Sequence, residues 1–208
     1  MEFTGFPDDM KVVTVSGAQK GVGKTALAEI LLKNLPGFAA IKITMTDLYT
    51  SVSEDNEDIM IPDTDTFRMK KSGAEKVVWV KATEKLLQDA MEQALGKISN
   101  HKGVLIEGNS ILEYINPTLA FFVVNSSIDN MKPSRIRALK KADICVINQK
   151  NGCTVSDETL KKIKFISPEI KIHSFDLLSA NLKDNEDIKK LKMYLKNIFK
   201  YQSDTGVL

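Results

Sequence analysis

Residues 12–25, VVTVSGAQKGVGKT, place three local patterns in the order that decides the fold. An apolar, β-branched run predicts a buried strand, a glycine-rich loop follows, and ALAEILLKNL after Thr25 predicts a helix. Consecutive amide groups of such a loop, together with the first turn of the helix, form a concave site for anions. The stretch therefore predicts a phosphate-binding loop, or P-loop.

Two side chains at the end of this loop have defined roles in the motif. Lys24 is expected to reach the β- and γ-phosphates and to act in catalysis, and the Thr25 hydroxyl is expected to bind Mg²⁺. The usual pattern is G-x-x-x-x-G-K-[ST], and this chain has alanine at its first position. The residues expected to contact the nucleotide are Gly17, Ala18, Gln19, Lys20, Gly21, Val22, Gly23, Lys24, Thr25 and Ala26.

The composition is that of an ordinary single globular domain. The 208 residues carry 29 Lys and Arg against 27 Asp and Glu, a balance that argues against a nucleic-acid or membrane surface. The two cysteines lack metal-binding spacing, the N-terminus shows no signal peptide, and no apolar run approaches the roughly 20 residues of a membrane span. We therefore expect a cytoplasmic protein.

Strand and helix patterns alternate along the whole chain. Alternation of this kind predicts a single-domain α/β protein with a mainly parallel, doubly wound sheet flanked by helices, and a ligand at the carboxyl ends of the strands. Residues 1–10 read as a lead-in, the polar and acidic residues 50–65 as a mobile loop, and residues 202–208 as a frayed tail.

Three polar residues follow predicted strands and so should lie at that edge. Glu107 ends the strand GVLIE, where a carboxylate holds Mg²⁺ or its water, although such a residue can also cap a helix. Asp47 follows the second strand, FAAIKITM, and is expected to order an attacking water or to join the metal shell. Asn148 follows the strand ICVI and is a candidate for reading the nucleotide base.

The loop also contains a second lysine, Lys20, in the sequence KGVGKT. This arrangement resembles the deviant Walker A loop of the superclass that holds ParA/MinD-like ATPases and dethiobiotin synthetase. In the dimeric ATPases of that superclass such a lysine reaches the phosphates of the partner subunit, so the resemblance implies a catalytic role for Lys20 and a homodimer. The alternative is a solvated lysine that adds charge near its own nucleotide.

Two further stretches resemble the molybdopterin-guanine dinucleotide biosynthesis protein B family. They are AAIKITMTD and DTFRMKKSGAEKVV, in which Asp65, Lys70, Gly73 and Ala74 match the pattern of that family, and Glu107 with the glycine after it matches its strand-terminal Glu-Gly. The resemblance implies an often dimeric GTP-binding adapter that assists molybdenum-cofactor maturation and hydrolyses nucleotide slowly. It thus implies Mg²⁺ with GTP or ATP, and a cofactor-biosynthesis enzyme as partner.

Two other functions remain open at this level. One is an ATP-dependent ligase or kinase of the dethiobiotin-synthetase type, although EGNSI replaces the glycine-rich loop of that family. The other is an ATP-driven dimerising switch of the ParA/MinD type, which would act through Lys20.

Overall fold

The computed structural model describes residues 6–7, 9–149, 152, 154–177 and 186–199. Its strands are β1 Lys11–Gly17, β2 Phe38–Met45, β3 Ser51–Ser53, β4 Val77–Ala82, β5 Gly103–Glu107, β6 Leu119–Val124, β7 Ile144–Asn148 and β8 Lys171–Phe175. Its helices are α1 Lys24–Leu32, α2 Asn56–Ile59, α3 Asp65–Lys71, α4 Leu87–Gly96, α5 Pro133–Lys140, α6 Asp157–Ile166 and α7 Glu186–Phe199, and short 3₁₀ helices cover Glu84–Leu86 and Ser110–Glu113.

The strands form one sheet in the order β3-β4-β2-β5-β1-β6-β7-β8. Neighbouring strands are parallel throughout, except that β3 runs antiparallel to β4 at the edge. Because parallel neighbours need crossover connections, the helices cover the faces of the sheet. The predicted α/β fold, a single mainly parallel sheet flanked by helices, is confirmed.

Both faces of the sheet are buried. The consecutive residues Phe121 and Phe122 are fully buried, yet they belong to separate apolar clusters because side chains alternate along a strand. The first cluster lies under α1, α3 and α7, and the other face is covered by α4 on one half and by α5 and α6 on the other. This packing holds β1 in the interior of the sheet, where its carboxyl end presents the glycine-rich loop.

Residues 50–65 differ from the loop expected there. The segment contains β3, whose Val52 pairs with Val80, and α2, whose Ile59 is buried in the core. Apolar residues spaced among the acidic ones supply these contacts. The sequence-based prediction of a loop rested on the acidic composition of the segment and did not take these apolar residues into account. The predicted tail at 202–208 lies outside the described residues, as does most of the lead-in. Among the described helices, none is long and apolar enough to cross a membrane.

Candidate functional site

Glycines fix the shape of the loop between β1 and α1. Gly21 and Gly23 have φ angles of +79° and +108°, a region that side-chain-bearing residues rarely adopt. A Cβ atom on Gly23 would lie 2.5 Å from the Asn148 amide nitrogen. A Cβ atom on Gly17 would lie 2.7 Å from the Val22 side chain. The loop can therefore pack this tightly only with glycine at these positions.

Side chains from three other elements hold the loop in place. Asn109, just after β5, accepts a hydrogen bond from the Gly17 amide at 2.8 Å and donates one to the Gly17 carbonyl at 3.2 Å. Arg135 on α5 donates to the Ala18 carbonyl at 2.9 Å. Asn148 at the end of β7 donates to the Val22 carbonyl at 2.9 Å. Side chains of three separate segments thus fix the backbone of the loop.

The side chain of Asn148 lies in the core instead of facing a cleft. It is 2 % exposed, and its carbonyl oxygen accepts a hydrogen bond from the Leu177 amide at 3.1 Å while its amide holds the loop. These bonds use one of the two amide N–H donors and one lone pair of the amide oxygen, so the contact with a nucleotide base stays a prediction. In the structure Asn148 supports the P-loop.

Four side chains form a polar cluster beside the end of the loop. The Thr25 hydroxyl oxygen lies 2.8 Å from Asp65 Oδ1 and 2.9 Å from Glu107 Oε2. Lys42 Nζ forms ion pairs with both carboxylates, at 2.6 Å from Asp65 Oδ2 and with Glu107 Oε1. Lys42 and Glu107 are direct neighbours in the register of β2 and β5, and Asp65 is the first residue of α3. Thr25, in the first turn of α1, thus contacts a carboxylate from α3 and a carboxylate from β5.

In this cluster, the pKa values of Lys42 and Asp65 are shifted by the neighbouring charged groups. Glu107 is 1 % and the Lys42 side chain 14 % exposed. Burial lowers the pKa of Lys42, but Glu107 and Asp65 outweigh it and the pKa is raised. Burial raises the pKa of Asp65, but the Lys42 ammonium and the Thr25 hydroxyl outweigh it and the pKa is lowered. Asp65 and Lys42 therefore stay ionised at neutral pH.

Whereas the pKa of Lys42 is raised, the pKa of Lys24 is lowered. Burial lowers its pKa, Glu107 and Asp65 oppose that effect, and the neighbouring cations Lys42 and Arg135 add to it. Its ammonium nitrogen lies 3.4 Å from the Gln19 carbonyl oxygen of the loop. A desolvated ammonium group without a carboxylate in contact gains from a nearby anion, which is what the P-loop motif requires.

These groups open into a cavity of about 1050 Å³ along the carboxyl ends of β2, β5 and β1. The cavity reaches from the loop past the polar cluster to the start of α5. Of the residues predicted to act in catalysis, Lys24, Lys20 and Asp47 all line it. Lys20 and Asp47 are exposed, and the hydrogen bonds and ion pairs of the polar cluster do not include them.

The sequence matches no protein-family model and no curated protein. Among solved structures, the chain is similar to the hydrogenase maturation factor HypB from Archaeoglobus fulgidus, with 17 % identity, 92 % of this chain and 91 % of that chain covered, and a TM-score of 0.56. It is also similar to HypB from Helicobacter pylori in complex with nickel, with 15 % identity, coverage of 96 % and 92 %, and a TM-score of 0.56. A third similar structure is LpxK from Aquifex aeolicus in complex with ATP, with 14 % identity, coverage of 96 % and 91 %, and a TM-score of 0.51.

The chain has the P-loop NTPase fold. At these identities the likeness concerns the fold alone, so residue roles have to come from the site itself. In that fold the loop of this chain, Lys24 and the polar cluster occupy one edge of the sheet.

The donor atoms of the polar cluster suit Mg²⁺, the metal that the fold implies. Magnesium prefers oxygen ligands and commonly takes one or two carboxylates together with phosphate oxygens and water. Thr25, Glu107 and Asp65 offer a hydroxyl and two carboxylates within one hydrogen-bonded group. Among the described residues, no group of three or more His, Cys, Asp or Glu side chains is arranged to hold a metal ion.

Sequence reasoning assigned Glu107 and Thr25 to this cluster but selected Asp47 as its second carboxylate. The structure places Asp65 there instead, and Asp47 lies apart as an exposed residue after β2. Arg68, one helical turn after Asp65, forms a two-point ion pair with Glu29 of α1 and so fixes α3 against the helix that follows the loop. The signal in the sequence was the DTFR stretch, which entered only through the family resemblance.

We expect Asn109→Ala to weaken nucleotide binding about tenfold and to cost about 1–2 kcal/mol of unfolding free energy. The substitution leaves the amide and carbonyl of Gly17 without their partners, and an unsatisfied polar group in a part-buried position costs about 1–3 kcal/mol. Urea unfolding and nucleotide titration measure the two effects. Asn100→Ala, at an exposed turn, is the matched control, and equal behaviour of the two variants would contradict the role of Asn109.

Proposed function

We propose that the chain binds a nucleoside triphosphate together with Mg²⁺ and hydrolyses it slowly. The observation that carries the proposal is the position of Thr25, whose hydroxyl lies within 2.9 Å of both Asp65 and Glu107 directly after Lys24 and the glycine-rich loop. This combination supports a phosphate site beside a magnesium site. Phosphoryl transfer needs little more than such positioning and charge stabilisation.

Each residue has a distinct part in this proposal. The loop amides and Lys24 bind the phosphates, and Thr25, Glu107 and Asp65 would hold Mg²⁺. The metal, when bound, neutralises charge that develops on the phosphate oxygens. Lys42 keeps Asp65 ionised and orients both carboxylates, and Asn109, Arg135 and Asn148 hold the loop in place. Asp47 and Lys20 remain proposed catalytic residues at the cavity wall.

The finer proposal is an accessory NTPase of cofactor biosynthesis, related to molybdenum-cofactor maturation. It draws on the stretch DTFRMKKSGA and on the Glu107–Gly108 pair that matches the family. Asp65 of this stretch contacts Thr25, which gives the stretch a place at the site. The fold likeness to a hydrogenase maturation factor is compatible with an assembly role. A homodimer and a cofactor-biosynthesis enzyme as partner belong to the same proposal.

A second candidate is an ATP-dependent ligase or kinase, and the cavity favours it. The space continues past Glu107 to α5, farther than a P-loop and its metal require. Such an enzyme would release ADP faster when its small-molecule substrate is present, whereas an accessory NTPase would turn over at one slow rate. The third candidate, a switch that dimerises on ATP, has support only from the exposed Lys20 in the loop.

Titration of ATP and of GTP, each with and without Mg²⁺, tests the proposed function. We expect at least one triphosphate to raise the melting temperature in the presence of Mg²⁺, with a smaller effect when EDTA replaces the metal. The nucleotide with the larger effect identifies the base preference, which the buried position of Asn148 leaves open. If neither nucleotide changes the melting temperature at millimolar concentration, the proposed function is wrong.

A further inference from the structure

The cavity beside the P-loop has a wall to which the proposed function assigns no ligand. This wall is the first turn of α5, where Lys132 and Arg135 line the cavity. Lys132 directly precedes the helix and its carbonyl accepts a hydrogen bond from the Arg135 amide at 2.9 Å, and both residues line the cavity. Neither residue forms an ion pair with a carboxylate within the part of the chain that the structure describes.

The charge of Arg135 on this wall acts on the predicted phosphate site. Arg135 bonds to the Ala18 carbonyl through one N–H group and contributes to the lowered pKa of Lys24. A guanidinium group has five N–H donors, so this one bond leaves most of its donors for another acceptor. By contrast, Arg137 on the same helix is paired with Glu113, and Arg68 with Glu29. Lys132 and Arg135 therefore form a basic pair that lines the cavity and has no ion pair with a carboxylate among the described residues.

The cavity extends beyond the phosphate site. Its lining runs from Lys24 and Thr25 to Lys132 at the start of α5. Asn148 and Leu177, on the other flank of the loop, do not line it. The cavity thus lies on the side of Lys24, Thr25 and the polar cluster, where the terminal phosphate belongs.

We propose that the basic pair Lys132–Arg135 holds the acid group of a second, anionic small molecule bound beside the triphosphate. The class of ligand is a compound that carries a carboxylate or a phosphate group, since both are recognised by the same lysine and arginine donors. The inference rests on the proposed function, because the second molecule binds next to a nucleotide. It adds a second ligand to nucleotide binding, as the ligase or kinase candidate requires.

The test uses the full chain loaded with Mg²⁺ and AMP-PNP, a non-hydrolysable ATP analogue. Orthophosphate and succinate are titrated separately into the loaded protein at constant ionic strength, with calorimetry as the readout. The variant is Lys132→Gln, and Lys140→Gln, an exposed lysine at the other end of α5, is the matched control. Lys132 makes no capping hydrogen bond through its side chain, so the variant should fold normally.

We expect at least one probe to bind the loaded wild type and Lys140→Gln equally, and to bind Lys132→Gln about fivefold or more weakly. The affinity for AMP-PNP should be the same in all three proteins. The tighter probe identifies the phosphate or the carboxylate class. The proposal is overturned if neither probe binds the loaded wild type, or if the two lysine variants lose affinity equally. If GTP gives the larger stabilisation, GMP-PNP replaces AMP-PNP. Failure of the proposed function is distinguishable, because neither AMP-PNP nor GMP-PNP would then bind in the loading titration.

Discussion

Lys24→Ala should abolish the stabilisation of the protein by nucleotide. The lysine supplies the ammonium group for the terminal phosphates, and loss of one such preorganised donor typically reduces catalysis by about 10²–10³-fold. At a nucleotide concentration of about 100 times the wild-type Kd, binding stabilises the protein by about 2.7 kcal/mol. A variant with about 100-fold weaker affinity would gain only about 0.4 kcal/mol under the same conditions.

The same variant should be at least as stable as the wild type when no nucleotide is added. Burial lowers the pKa of Lys24, so the folded chain holds this ammonium group at a cost that alanine removes. Thermal melts with and without Mg²⁺ and nucleotide measure both effects. Lys33→Ala, an exposed position at the end of α1, is the control and should respond to nucleotide like the wild type. A Lys24→Ala variant that binds ATP and GTP normally would contradict the assignment.

Glu107→Ala should destabilise the fold by about 3 kcal/mol. The substitution leaves the buried Lys42 with Asp65 as its remaining ion-pair partner and removes an acceptor for Thr25. Removal of one partner of a buried ion pair typically costs about 3–5 kcal/mol, and the lower end applies because Asp65 remains. Urea unfolding measures the loss, and Glu169→Ala, at an exposed turn, should show almost none.

A double variant separates stability from function at this position. Lys42→Met with Glu107→Leu replaces the buried pair by apolar side chains of similar size, an exchange that is often neutral or stabilising. We expect its unfolding free energy to return to within about 1 kcal/mol of the wild type. Its nucleotide binding should nevertheless no longer respond to Mg²⁺, because one of the two carboxylates is gone. A double variant with a normal magnesium response would contradict the assignment of Glu107 as a metal ligand.

Much of the sheet was predictable because its strands are short apolar runs bounded by polar residues. β2 begins and ends where the sequence predicts, at residues 38–45. The loop with Lys24 and Thr25 was predictable because the residues of the motif are consecutive in the sequence. Glu107 followed from its place at the end of a buried strand.

Contacts between distant segments were not predictable in this way. Asp65 reaches Thr25 across 40 positions because Arg68 holds α3 against Glu29 of α1, and neither partner reveals this pairing in isolation. Asp47, the acid nearest to the end of β2, was the natural choice from local order alone. The support that Asn148 gives to the loop was likewise not predictable, because its partners Val22 and Leu177 are distant in the sequence.

A crystal structure of the chain with Mg²⁺ and a non-hydrolysable triphosphate tests the central claim most directly. The account predicts phosphate oxygens on the amides of Gly21–Thr25, the Lys24 ammonium turned from the Gln19 carbonyl to the phosphates, and magnesium in contact with Thr25. A triphosphate bound elsewhere on the chain, with the loop and the Thr25–Asp65–Glu107 contacts unchanged, would contradict it.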